Sequence, residues 1–96
     1  MMEITVKVMG PLIKITGEST VLMNMPEEST VRDLLEALFR RFGEDLKQEV
    51  LNEEGTDLAP YYKVLINGRN TKLMNYLETK LKNGQIVHVM PPIAGG

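Results

Sequence analysis

The stretch Gln85-Ile86-Val87-His88-Val89-Met90-Pro91-Pro92-Ile93-Ala94-Gly95-Gly96 decides how this chain is built. Its first half alternates like a strand with two distinct faces. With Val87 and Val89 turned to a core, Ile86, His88 and Met90 must point away from it. Pro91-Pro92 then ends the strand, since each proline fixes φ and neither can donate a backbone hydrogen bond. Past the prolines the side chains shrink from Ile93 through Ala94 to two glycines, which can enter a slot closed to any side chain. An α-carboxylate on Gly96 is ionised at neutral pH. From Pro91 onward, an extended tail reaches roughly 20 Å. Stiff spacer, slim tip and terminal carboxylate suit a chain end that is itself the reactive group. A frayed terminus is the bland alternative, and the tail alone leaves both open.

Working outward, 96 residues with 43% hydrophobic side chains are expected to form a single domain with one core. Residues 91–96 are expected as its flexible C-terminal tail. No apolar run approaches a membrane span and no signal peptide opens the sequence, so a cytoplasmic location is the expectation. Without cysteine, disulfides and a thiolate nucleophile are both excluded. A net charge of −2 offers no broad positive field for nucleic acid. The lone histidine, His88, stands in no ligand-type spacing, so no metal site is expected. Nothing matches a phosphate-binding glycine loop or a nucleophile–base pair, which argues against an independent enzyme.

Met2 to Met9 alternates, with Ile4, Val6 and Val8 on one face and Glu3, Thr5 and Lys7 on the other. Gly10-Pro11 breaks it, and Leu12 to Ile15 fits either strand or irregular chain. Thr20 to Met25 reads as a second strand with Val21, Met23 and Met25 inward, so the first two strands form a hairpin. Thr30 and Asp33 approximate a capping box before Val31, Leu34, Leu35, Leu38 and Phe42, which recur at helical spacing. Gly43 suits the end of that helix, and Glu44 to Leu51 fits a second, shorter one through Leu46 and Val50. Tyr62 to Ile66 is a third strand closed by Asn67-Gly68, a hairpin turn signal. Asn70 to Lys80 fits a short strand or a single helical turn, with Leu73, Tyr76 and Leu77 inward. Asn83-Gly84 turns the chain into the final strand. Two strands, a helix and further strands with short connectors predict an α+β roll: a mixed sheet with one main helix across one face.

The outward face of the last strand then carries Ile86, His88 and Met90, and Leu65 joins them if Val64 and Ile66 are inward. An exposed apolar patch at the root of the tail suits partner docking, against the alternative of scattered surface apolars that need no explanation.

Val64-Leu65-Ile66-Asn67-Gly68-Arg69, Leu81-Lys82-Asn83-Gly84-Gln85 and Met90-Pro91-Pro92-Ile93-Ala94-Gly95-Gly96 together resemble the ubiquitin-like sulfur carriers. The likeness is greatest to the small subunit of molybdopterin synthase, and Pro26 through Leu35 also resembles that family's strand-to-helix junction. Met90 departs from the pattern, which often has an aromatic residue there, and Asn70 to Lys80 matches little. The resemblance implies a β-grasp fold and a non-catalytic carrier. In the family a ubiquitin-activating-type enzyme spends ATP to adenylate the terminal carboxylate, here that of Gly96, and sulfur from a donor replaces AMP. Pro91, Pro92, Ile93, Ala94 and Gly95 would thread the channel of a partner, while Leu65, Ile86, His88 and Met90 would dock beside it. That partner is the large subunit of molybdopterin synthase, in a heterotetramer, where sulfur passes to a pterin precursor of the molybdenum or tungsten cofactor. No bound cofactor, nucleic acid or membrane is implied. Other outcomes of the same tail chemistry are sulfur supply for thiamine or tRNA thiolation, or isopeptide linkage of Gly96 to lysines as a protein modifier. An inert tail on an interaction domain is the alternative from another class.

Overall fold

The computed structural model describes residues 1–92. Strand β1 (Met2–Val8) buries Met2, Ile4, Val6 and Val8, as alternation requires. It pairs antiparallel with β2 (Thr20–Met25), in register Met2↔Met25 through Lys7↔Thr20. Between them, Pro11–Thr16 is a helix, α1, rather than strand or irregular chain. Pro11 opens it, where a missing N–H costs nothing, and Gly17 at φ 81° closes it with its N–H on the Ile13 carbonyl. Only Leu12 and Thr16 are buried in it, too short a pattern to separate helix from strand.

The main helix, α2 (Val31–Phe42), follows from its caps and its stripe. The Thr30 hydroxyl accepts from the Asp33 N–H at 3.2 Å, and the Asp33 carboxylate accepts from the Thr30 N–H at 2.9 Å. Val31, Leu34, Leu35, Leu38 and Phe39 are buried, whereas Phe42 is only partly covered and lies under the Arg41 guanidinium, 5.1 Å from its ring centre. A second short helix, α3 (Glu44–Val50), buries Leu46 and Val50 as expected. Side chains of α1, α2 and α3 meet Val8, Val21 and Val89 around one tight internal gap, which locates the core between the helices and the sheet's inner face.

Strand β3 (Lys63–Ile66) turns through Asn67 (φ 48°) and Gly68 (φ 84°) into a two-residue strand, β4 (Arg69–Asn70). Positive φ at both positions is what a two-residue hairpin loop needs, and Asn-Gly supplies it. Residues 71–80 form two separate 3-10 turns, Thr71–Leu73 and Tyr76–Glu78. Leu77 is buried and Tyr76 partly so, but Leu73, expected inward, is 70% exposed. Thr71 occupies the buried position of the first turn instead. The turns are stitched to the start of α2, with Val31 N–H on Thr79 O and Leu81 N–H on Ser29 O.

Strand β5 (Ile86–Met90) pairs parallel with β1 and antiparallel with β3, giving the sheet order β2-β1-β5-β3-β4. It is therefore the middle strand, and its outgoing end leads straight to Pro91 and Pro92. Pro91, read from sequence as the first tail residue, is buried instead. Its Cγ lies 3.6 Å from where a Cβ on Gly10 would stand, so the packed domain extends one residue further than alternation alone predicts. Pro92 is exposed.

Candidate functional site

The outer face of the sheet is built by the same alternation that builds the core. Cross-strand register aligns Leu22, Thr5 and Ile86 in one row, and Thr20, Lys7, His88, Leu65 and Asn70 in the next. Met90 stands beside Lys63 at the end from which the chain leaves the sheet. The four predicted docking residues Leu65, Ile86, His88 and Met90 thus share one surface, with Lys7 and Lys63 beside them. Ile86 is 38% exposed, while Leu65, His88 and Met90 are half-buried among their neighbours. The His88 Nδ1 is sealed from solvent and has no hydrogen-bond partner among the described residues.

Leu22 was not among the residues picked from sequence, although it is 57% exposed and lies on the same face. The period of two already contained that signal, since Val21, Met23 and Met25 inward leave Leu22 outward. Its carbonyl accepts from Arg41 Nη1 at 3.0 Å, which covers part of the free edge of β2.

Tyr61 is the second residue that alternation did not flag. The Tyr62 N–H closes onto the Ala59 carbonyl at 3.1 Å, making a turn with Pro60 and Tyr61 at its centre. Tyr61 has φ 66° and is 83% exposed. The next residue, Tyr62, is buried, and its hydroxyl donates to the Glu49 carboxylate at 2.8 Å. Burial and that hydrogen bond raise the Tyr62 phenol far above its ordinary range, so it stays protonated. A second polar clip ties the neighbouring loop: the Tyr76 hydroxyl donates to Asp57, whose same oxygen accepts from the Leu58 N–H. Burial and that bond push Tyr76 up to about 12. The Tyr76 hydrogen bond, followed by that of Leu58, lowers Asp57.

Ile93, Ala94, Gly95 and Gly96, predicted as tail and reactive end, lie outside the described residues. Of the predicted tail, Pro91 belongs to the packed domain and Pro92 is where the exposed chain begins. Among the described residues, no helix is long and apolar enough to cross a membrane, and no three His, Asp or Glu side chains converge as metal ligands would.

A mixed five-stranded sheet with its main helix across one face, and a middle strand leading into a proline pair, defines a ubiquitin-like β-grasp protein. The chain matches the ThiS family over residues 6–96, and belongs to this family of ubiquitin-like sulfur carriers. It is 36% identical over 70 residues to a putative sulfur carrier protein of Archaeoglobus fulgidus, covering 73% of this chain and 77% of the relative. It is 30% identical to small archaeal modifier protein 3 of Haloferax volcanii, covering 99% of this chain and 100% of that one. Among solved structures, it resembles a putative molybdopterin converting factor, subunit 1, from Pyrococcus furiosus. Their TM-score is 0.76 at 27% identity, covering 97% of this chain and 100% of the other.

Proposed function

We propose that this chain is a sulfur carrier for molybdenum or tungsten cofactor biosynthesis, a non-catalytic subunit whose reacting group is the Gly96 carboxylate. One observation carries the proposal: β5, braced on both sides as the middle strand, runs directly into Pro91 and Pro92. A tail starting from a fixed point, stiffened at its root, aims its end at a defined place on a partner. From Pro92 to Gly96 it reaches at most roughly 17 Å.

A carboxylate is a poor acyl donor because its leaving group would be oxide. Attack of a Gly96 carboxylate oxygen on the α-phosphorus of ATP breaks the bond to the β-phosphate and releases pyrophosphate, leaving an acyl-adenylate. Attack of a sulfide-level donor on the acyl carbon then expels AMP and leaves a thiocarboxylate. The first step belongs to a ubiquitin-activating-type enzyme. Sulfur transfer to a pterin precursor belongs to the large subunit of molybdopterin synthase, with which this chain would form a heterotetramer. Support for the molybdopterin branch comes from the Pro-Pro ending and from the likeness to the Pyrococcus protein. Full-length similarity to small archaeal modifier protein 3 favours a second role, in which a lysine amine attacks the activated Gly96 and forms an isopeptide.

Intact mass after incubation with the cognate adenylating enzyme, ATP and a sulfide donor tests the carrier chemistry. Wild type should exchange one oxygen for sulfur at Gly96, and a chain lengthened by one residue should not. A thiocarboxylate on the lengthened chain would overturn the proposal. Supplying the large subunit and the pterin precursor then separates the branches: dithiolene product supports cofactor synthesis, and lysine adducts in its place support the modifier role.

A further inference from the structure

Among the described residues, four besides glycine hold a positive φ: Glu28, Tyr61, Asn67 and Tyr76. Three have a local reason. Asn67 is the residue type its hairpin turn requires, Glu28 is ion-paired with Lys80 at 2.6 Å, and the partly buried Tyr76 ring carries a hydroxyl bound to Asp57. Tyr61 has none. With proline at the second position of its turn and a positive φ at the third, it occupies the place where a type II turn takes glycine. A β-carbon there strains the backbone, and an 83% exposed ring recovers almost nothing by packing within the chain. Folding alone would favour glycine at position 61.

The turn is also held from both sides. Pro60 fixes the backbone before Tyr61, and buried Tyr62, bound to Glu49, fixes it after. The ring is therefore presented from a preset backbone, which lowers the ordering cost of any contact it makes. Its location is specific. The antiparallel register pairs Lys63, the first residue of β3, with Met90, the last of β5. Tyr61, two residues before β3, and exposed Pro92, two residues after β5, therefore lie at the same end of the sheet. Tyr61 thus lies at the end of the sheet from which the tail leaves.

We propose that Tyr61 is a positioning residue for tail activation, its ring docking on the adenylating enzyme at the mouth of the channel that takes Gly96. The inference rests on the sulfur-carrier proposal and adds to it a contact outside the tail and outside the outer sheet face. A short tail, at most roughly 17 Å from Pro92, can reach a water-excluding site only if the enzyme closes against this end of the sheet. Tyrosine supplies a large, rigid and amphipathic contact for such a closure, and is enriched among residues that dominate interface energy.

Three full-length variants separate strain from contact, assayed with the cognate ubiquitin-activating-type enzyme by ATP–pyrophosphate exchange and by thermal melting. Tyr61→Gly removes both ring and strain, so its Tm should rise by roughly 4 °C while KM for the carrier rises about tenfold. Tyr61→Ala removes the ring and keeps the β-carbon, so KM should rise as much with no gain in Tm. Tyr61→Phe should keep KM within about threefold of wild type. In all three kcat should stay within about twofold, because the reacting carboxylate is unchanged. Wild-type KM in both the glycine and alanine variants would overturn the proposal, whatever their melting temperatures. Absence of exchange with wild type itself would overturn the carrier proposal on which this one stands, and is distinguishable on that ground.

Discussion

Neighbouring residues of β5 live under different constraints. Val87 and Val89 are sealed between flanking strands and helices, whereas Ile86, His88 and Met90, each one residue away, face outward. The inner face needs no explanation beyond burial, since it meets Val6, Val8, Val64 and Ile66 across the strands. Folding does not ask for apolar side chains on the outer face, yet Leu22, Leu65, Ile86 and Met90 are there. The difference teaches that in this strand alternate residues carry the core and an outward apolar face for which we propose a recognition role, so substitutions can address one without the other.

The largest effect should come from the inner face. Ile4→Ala opens a cavity at a fully buried position of β1 and should cost ~2–5 kcal/mol of stability, read from urea midpoints. A loss below ~1 kcal/mol would mean that this face repacks freely, and the contrast between faces would lose its physical basis.

Next in size is the outer face. Met90→Glu should weaken binding to the large synthase subunit by at least ~2 kcal/mol, measured by calorimetry. Met90 is half-buried beside Lys63, so Ile86→Glu is the cleaner companion, expected to shift stability by no more than ~0.5 kcal/mol. If both variants bind normally, the outer face is not where that partner sits. Unfolding of Ile86→Glu to the extent of Ile4→Ala would instead show that the two faces are not separable.

Where several local signals agreed, the sequence was readable. Thr30 and Asp33 cap where the apolar period of α2 begins, Asn67-Gly68 turns where two strands must meet, and alternation along β5 assigned its faces correctly. Helix α1 escaped because six residues do not complete two turns of a helix, so strand and helix patterns coincide. Residues 71–80 escaped because two isolated 3-10 turns leave no period to detect, and Leu73 was assigned to a burial site that Thr71 fills. The site shows the same division. The outward placing of Leu65, Ile86, His88 and Met90 follows from strand period, but the burial of Pro91, which packs beside Gly10 far away in sequence, does not. Tyr61 was hidden for another reason: tyrosine is an improbable choice for a positive φ, so only the folded backbone reveals it.

The smallest effect tests what holds the rim of the sheet, where polar clips replace burial. Removing one hydroxyl, Tyr76→Phe, should cost at most ~1 kcal/mol near neutral pH, because the bonded Asp57 is largely exposed and solvent screens the interaction. Its pH dependence has a definite sign on each side. Tyr76 in the folded protein is raised from 10.0 to about 12, so the hydroxyl's contribution is full below pH 10 and fades as pH climbs through 12. Asp57 is lowered from 3.8, so the contribution is full above that value and fades as pH falls through the lowered one. The stability difference between wild type and Tyr76→Phe should therefore be flat across the neutral range and shrink toward both extremes. Comparing the two proteins at each pH cancels the titration of Tyr62, which also rises on the alkaline side. Urea midpoints measured near pH 7 and near pH 11.5 are sufficient for the alkaline limb. No difference between the two proteins at either pH would mean that ring packing, which both keep, and not the bond to Asp57, holds this part of the rim.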